Sequence, residues 1–294
     1  MTVLTVLTQP AARGLRVSAH GLVHIYRMEG NDVVALSSVD LDVAPGERVG
    51  LLGPSGSGKS TLLRLLGGLQ APSAGRLRVG ERDLTSIDAG DLDRMRASEV
   101  GIVLQGAGNN LLPYLAPADN VAFAQQAARR AGQSGLPPPG EVLDLLGLGD
   151  QAHQHLVELT PGQLQRLAVA VAMAALPGLL LADEPTSQLD HHYRDEVLDA
   201  IEHLNQQLGT TVVTVTHDPQ VAARFPRTII IRDGRIGAEG RDGEEFAVIA
   251  QDGSVQLPPH LRELIAPGTL LRVRAQDNDV ITLEPIRDRG QAAR

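Results

Sequence analysis

The 294-residue chain contains no cysteine and no tryptophan. The missing cysteines exclude disulfides, thiolate metal sites and cysteine nucleophiles. Aromatic residues make up only 2% of the chain, so the core must be aliphatic, and the 43% hydrophobic content supplies it. That is enough for one large domain with a small appendage. No run of about 18 apolar residues occurs, so no segment reads as a membrane-spanning helix. The N-terminal stretch MTVLTVLTQPAARG lacks the basic start of a secretory signal. The chain is therefore expected to stay in the cytoplasm, and work at a membrane would require a partner that holds it there. Positive charge is scarce as well, with 26 Lys plus Arg against 35 Asp plus Glu and a net charge of −9. That balance argues against a nucleic-acid-binding face. Lysine is scarcest of all. Lys59 stands alone among arginines, which points to a position that needs a compact ammonium on a thin stem rather than a planar guanidinium.

What surrounds Lys59 supplies the reason. The run Gly53, Pro54, Ser55, Gly56, Ser57, Gly58, Lys59, Ser60 fits the phosphate-loop pattern G-x-x-x-x-G-K-[ST], and Thr61 follows it. The preceding residues 48–52 (RVGLL) read as a short buried strand, and residues 60–66 (STLLRLL) as a helix with one apolar face. Glycines let successive backbone N–H groups turn toward phosphate oxygens, and a helix N-terminus adds partial positive charge. Lys59 would neutralise the β and γ phosphates, and Ser60 would hold Mg²⁺ through its hydroxyl.

A second cluster sits at strand ends. Residues 179–182 (LLLA) form an unbroken apolar run, as suits a central parallel strand, and Asp183-Glu184 follow. Ligands of open α/β sheets bind at that edge. Asp183 would reach Mg²⁺ through water, and Glu184 would polarise an attacking water. Residues 211–216 (TVVTVT) end at His217-Asp218-Pro219, which brings a histidine to the same edge. On its own, His217 reads first as a capping or surface residue and only second as a γ-phosphate donor.

Taken together, the motifs resemble the ABC ATPase family over about residues 15 to 240. Leu159-Thr160-Pro161-Gly162-Gln163 looks like the family signature L-S-G-G-Q, and it precedes an apolar-periodic helix over 164–176. Ser187-Gln188-Leu189-Asp190 looks like the dimer-communication loop. Gln105, ending a strand over 100–104, matches the metal-sensing glutamine. His217 matches the switch histidine, and Tyr26 the aromatic that stacks on adenine. The resemblance implies an α/β fold of the P-loop NTPase cassette type, with a mixed sheet core, an antiparallel β subdomain and a helical subdomain over about 106–176. It also implies ATP hydrolysis with ATP and Mg²⁺ bound. Ser60, Gln105 and Asp183 would hold the metal, Glu184, His217 and Lys59 would act in hydrolysis, and Thr160, Gly162, Gln163 and Asp190 would contact nucleotide across a homodimer. Pro161 departs from the family pattern and removes one backbone N–H, although proline suits a first helical position with Thr160 as N-cap.

Residues 106–176 read as a short helical insert, with helices near 117–130 and 141–146 around a Gly/Pro-rich loop at 131–140. The insert has no long coiled coil and the chain has one cassette. Both features favour a transporter subunit over chromosome-organising or translation-type relatives. Asn110-Leu-Leu-Pro113 and Leu181-Ala-Asp-Glu-Pro185 resemble the branch that serves lipoprotein-release, macrolide-export and FtsX-like permeases. The expected partners are a second copy and a separate integral membrane permease that meets the surface around 105–114. A soluble ABC ATPase acting on nucleic acid or ribosomes is the alternative. The cassette is expected over 15–243. A β-rich extension over 244–294 is weakly similar to the swapped-hairpin (AbrB-like) unit, with a short helical turn at 260–264. That extension carries eight acidic and six basic residues, so a dimerisation clamp is a better reading than DNA binding, with a plain β extension packed on the cassette as the equal alternative.

Overall fold

A computed structural model of the chain describes residues 14–28, 30–241, 244–249, 253–255, 265, 269–276 and 280–285. Two strands, β1 (Val17–Met28) and β2 (Asn31–Val43), form a long antiparallel hairpin. The phosphate-loop strand β3 (Arg48–Leu52) follows, then helix α1 (Lys59–Leu66). Next come β4 (Ala74–Val79), β5 (Arg82–Asp83), α2 (Ala89–Ser98) and β6 (Val100–Val103). The helical insert holds α3 (Pro117–Arg130), α4 (Pro139–Leu145) and α5 (Pro161–Ala172). The chain returns through β7 (Leu179–Asp183), α6 (His191–Leu208), β8 (Thr211–Thr216), α7 (Pro219–Ala222), β9 (Arg227–Arg232), β10 (Arg235–Arg241) and β11 (Glu244–Ala247). Farther on, β12 (Leu271–Gln276) pairs antiparallel with β13 (Val280–Pro285).

The main sheet runs β11-β10-β9-β3-β8-β7-β6, and β9, β3, β8, β7 and β6 are parallel. The apolar runs become its central strands because both their faces are covered. Leu179 and Leu181 of β7 enter one hydrophobic cluster, with α1 and the β1–β2 hairpin; Leu180 and Ala182 enter the other, with α3 to α6. Strand β8 divides likewise, with Val213 and Val215 on one side and Val212 on the other. A second, antiparallel sheet of order β2-β1-β4-β5 packs over α1. The mixed core, the antiparallel sheet and the helical insert are those of the cassette fold named above.

Several helix boundaries differ from the sequence reading. Helix α1 begins at Lys59 rather than Ser60, because Gly58 in a left-handed conformation (φ 101°) forms the cap. Helix α5 begins at Pro161 rather than Leu164, because Thr160 caps it and proline occupies its first position. It ends at Ala172, and Leu176 has φ 50°. Strand β11 pairs antiparallel with β10 and adds to the main sheet through Ala247. The turn expected at 260–264 lies outside the described residues.

Candidate active site

The loop between β3 and α1 is shaped by glycines whose side-chain space is already taken. A Cβ on Gly53 would lie 2.1 Å from the Ile231 carbonyl oxygen, and one on Gly58 would lie 2.5 Å from that of Ala35. Side chains at those positions would drive into backbone, so the loop keeps its curl only with glycine. Lys59 is buried, and its Nζ donates to the carbonyl oxygens of Gly53 and Pro54, each at 2.8 Å. Burial depresses the ammonium's pKa, and the charges of Glu184 and Asp183 oppose that shift. An ammonium has three donors, so one remains for an incoming anion.

Ser60 Oγ donates to Asp183 Oδ1 at 3.1 Å. Asp183 ends β7 and is buried, and burial pushes its carboxyl above the ordinary carboxylate value against the opposing effects of Ser60, Arg64 and Lys59. The next residue, Glu184, takes φ 50°, uncommon for a non-glycine residue and a sign of a position held by its surroundings. Its backbone N–H donates to the Val215 carbonyl, and its Oε1 meets His217 Nδ1 at 2.8 Å. The cap of α7 is Asp218, which accepts from Gln220 N, and not His217. Sequence reasoning missed the Glu184–His217 contact, since 33 residues separate the pair and only the adjacency of β7 and β8 joins them.

Lys59, Ser60, Glu184 and His217 face one cavity of about 760 Å³, lined by Pro54 to Thr61, Tyr26, Gln105, Glu184 and His217. Tyr26 stands at its apolar end with Val33 and Val34. The Tyr26 hydroxyl is bonded to Thr61 Oγ1 and donates to Gln70 Oε1, both at 3.1 Å, and its ring meets His24 edge-on at 4.7 Å. Gln105 is aimed by neighbours the sequence reading did not single out for this role. Asn110 clasps Leu104 through both backbone groups, at 2.8 and 2.9 Å, and bonds the Gly106 carbonyl at 2.9 Å. Asparagines that close on their own loop are a signal the sequence offers.

Thr160, Gly162 and Gln163 do not line this cavity. Thr160 and Gln163 form a reciprocal capping box at the start of α5, with bonds of 3.2 and 2.8 Å. A Cβ on the buried Gly162 would lie 2.5 Å from Tyr193 Cδ1, so glycine is required there by the tyrosine ring. Asp190 caps α6 through Tyr193 N at 3.0 Å and faces a smaller cavity of about 200 Å³ shared with Glu184 and His217.

For a divalent cation the donor set is hard oxygen, a serine hydroxyl against a carboxylate. Among the described residues no group of three or more His, Asp or Glu could hold a metal ion. Ser60 and Asp183 therefore fit a cation whose shell is completed by phosphate oxygens and water.

A phosphate loop on a parallel sheet, facing an acid at one strand end and a histidine at the next, defines a P-loop ATPase cassette. A family model described as ABC transporter matches residues 36–187. The lipoprotein-releasing system ATP-binding protein LolD of Anaeromyxobacter dehalogenans is 43% identical over 206 residues, spanning 70% of this chain and 85% of that protein. The macrolide export ATP-binding/permease protein MacB of Rhodopseudomonas palustris is 38% identical over 246 residues, covering 84% of this chain but 37% of its own length. A solved dimeric ATP-binding cassette in a post-hydrolysis state, bound to ADP and Pi, is 32% identical with a TM-score of 0.65, over 76% of this chain and 98% of that one. The chain belongs to the ABC transporter family and is an ABC-type ATPase subunit.

Proposed function

We propose that this subunit hydrolyses MgATP in a nucleotide sandwich of two copies and drives a separate membrane permease of the lipoprotein-release, macrolide-export or FtsX-like kind. The observation that carries the reading is the division of the motifs. Lys59, Ser60, Gln105, Glu184 and His217 line one cavity, with Asp183 bonded to Ser60, whereas the signature turn at Thr160 and Gly162 lies outside that cavity. A second copy's signature turn would supply the missing wall. In the reading, Lys59 and the loop amides bind the β and γ phosphates, Tyr26 packs on the base, and Ser60, Gln105 and Asp183 hold Mg²⁺. Bound magnesium neutralises charge on the triphosphate. Glu184 orients the attacking water, and His217, held by Glu184, donates toward the γ-phosphate. The chemistry needs positioning and charge neutralisation rather than a covalent nucleophile.

No described helix is long and apolar enough to cross a membrane, so a peripheral place on the cytoplasmic membrane face, through the permease, is part of the proposal. The similarity to LolD and to the ATP-binding part of MacB supports that partner class. An apolar groove of about 410 Å³ between α2, β6 and α5, beside Leu104 and Asn110, supports a docking place near the expected 105–114 surface. Tyr114, 79% exposed, extends that surface.

The test is Mg²⁺-dependent phosphate release by the purified chain. Lys59→Ala is expected to lose ATP binding, and Glu184→Gln to bind ATP without turnover. Either variant hydrolysing ATP as fast as wild type overturns the assignment. Co-purification from cells with nucleic acid instead of membranes overturns the partner class.

A further inference from the structure

The first turn of α6 carries an arginine that the hydrolytic site does not use. The Arg194 side chain is only 15% exposed. Its Nη1 donates to Asp218 Oδ2 at 3.1 Å and to Gln220 Oε1 at 3.3 Å, both on the segment that follows His217. Its backbone N–H donates to the Asp190 carbonyl at 2.9 Å. Its Nε has no hydrogen-bond partner and lies 3.8 Å from Asp195 Oδ1. A guanidinium keeps its charge when buried, so its place is fixed by the acceptors that match it. Here those acceptors lie on the cap and first turn of α7, 24 and 26 residues away, not on its own helix.

Asp218 donates its N–H to Thr216 Oγ1 at 3.0 Å and spends Oδ1 on the Gln220 N–H at 2.8 Å, which leaves Oδ2 for Arg194. The His217 side chain is 61% exposed, with Glu184 at 2.8 Å. Arg194, Asp190, His217 and Glu184 line the same cavity of about 200 Å³.

We propose that Arg194 is a positioning residue for hydrolysis: through Asp218 and Gln220 it sets where the His217 imidazole stands and ties that place to Asp190 and the start of α6. The proposal rests on the reading of His217 as the γ-phosphate contact. A displacement of the Asp190 turn by a docking second copy is carried through one ion pair to His217, so pairing and turnover are linked within each subunit.

The experiment is a double-mutant cycle on the full chain, with Arg194→Ala, His217→Ala and both together, reading steady-state hydrolysis and equilibrium ATP binding. Arg194→Ala is expected to lower kcat about tenfold, the effect of one charge-assisted hydrogen bond. Affinity for ATP should stay within about twofold, since Arg194 does not line the phosphate-loop cavity and the loss is one of transition-state positioning. In the His217→Ala background the same substitution should change kcat little, because the group it places is gone. Arg194→Lys should recover part of the rate. Should Arg194→Ala fail to fold, Arg194→Gln takes its place in the cycle. Wild-type kcat for the Arg194 variant, or losses that multiply independently in the double variant, overturn the proposal. Unimpaired turnover by His217→Ala instead overturns the role given to His217, so the two failures are distinguishable.

Discussion

At the scale of single residues, the site holds side chains at some cost to the fold. Burial raises the Asp183 pKa above the ordinary 3.8, despite Lys59 and Arg64 nearby. A raised carboxyl binds its proton more tightly in the folded chain than in the unfolded one. Its contribution to stability is therefore full below about 3.8 and is lost as pH rises through the raised value. At neutral pH the ionised group weighs against the nucleotide-free fold. Asp183→Asn, which keeps an acceptor for Ser60, is expected to raise the melting temperature at pH 7 while removing Mg²⁺-dependent turnover; a lowered melting temperature would show that Asp183 is structural. Gly162 offers a second case. Alanine normally favours a helix over glycine by about 1 kcal/mol, yet here its Cβ would enter the Tyr193 ring. Gly162→Ala is expected to destabilise the protein by about 1–3 kcal/mol by overpacking. Adding Tyr193→Ala should relieve that strain, which thermal melts of the single and double variants would read directly.

At the scale of elements, the legible parts were those whose physics is local. The buried strands at 48–52, 179–182 and 211–216 were readable because a central parallel strand is apolar throughout. The phosphate loop was readable because its glycines and lysine fall within one short run, Gly53 to Lys59. Helix starts shifted where capping, not periodicity, decides the boundary, as at Gly58 and Thr160. The contacts that organise the site were less legible because they cross the chain: Glu184 with His217, Gly162 with Tyr193, Arg194 with Asp218. The loop after β6 lies between these cases, since Asn110 bonds residues four to six positions away. Asn110→Ala is expected to cost about 1–3 kcal/mol in lost and unsatisfied hydrogen bonds and to lower hydrolysis by releasing Gln105, with ATP still retained by the phosphate loop. Unchanged hydrolysis would show that Gln105 needs no such clasp.

At the scale of the whole molecule, two hydrophobic clusters fix the sheet between an antiparallel layer and a helical layer, and the sheet's edge presents the reactive groups. The signature turn belongs to the helical layer and does not line the phosphate-loop cavity, which is the ground for proposing that a second copy takes part in the chemistry. The β12–β13 hairpin belongs to the extension for which a dimerisation clamp is the proposal. Val273 and Ile281, each 64% exposed, are among its apolar side chains, in keeping with the proposed dimerisation clamp and with the low positive charge that disfavours DNA. The account's central claim is that ATP joins two subunits through their phosphate loops and signature turns. The most direct measurement is the solution mass of Glu184→Gln by sedimentation in ATP and in ADP, with Lys59→Ala as the comparison. The account predicts a two-chain species that forms or tightens with ATP in Glu184→Gln and does not respond to ATP in Lys59→Ala; a mass indifferent to ATP in Glu184→Gln that has bound it would contradict the claim.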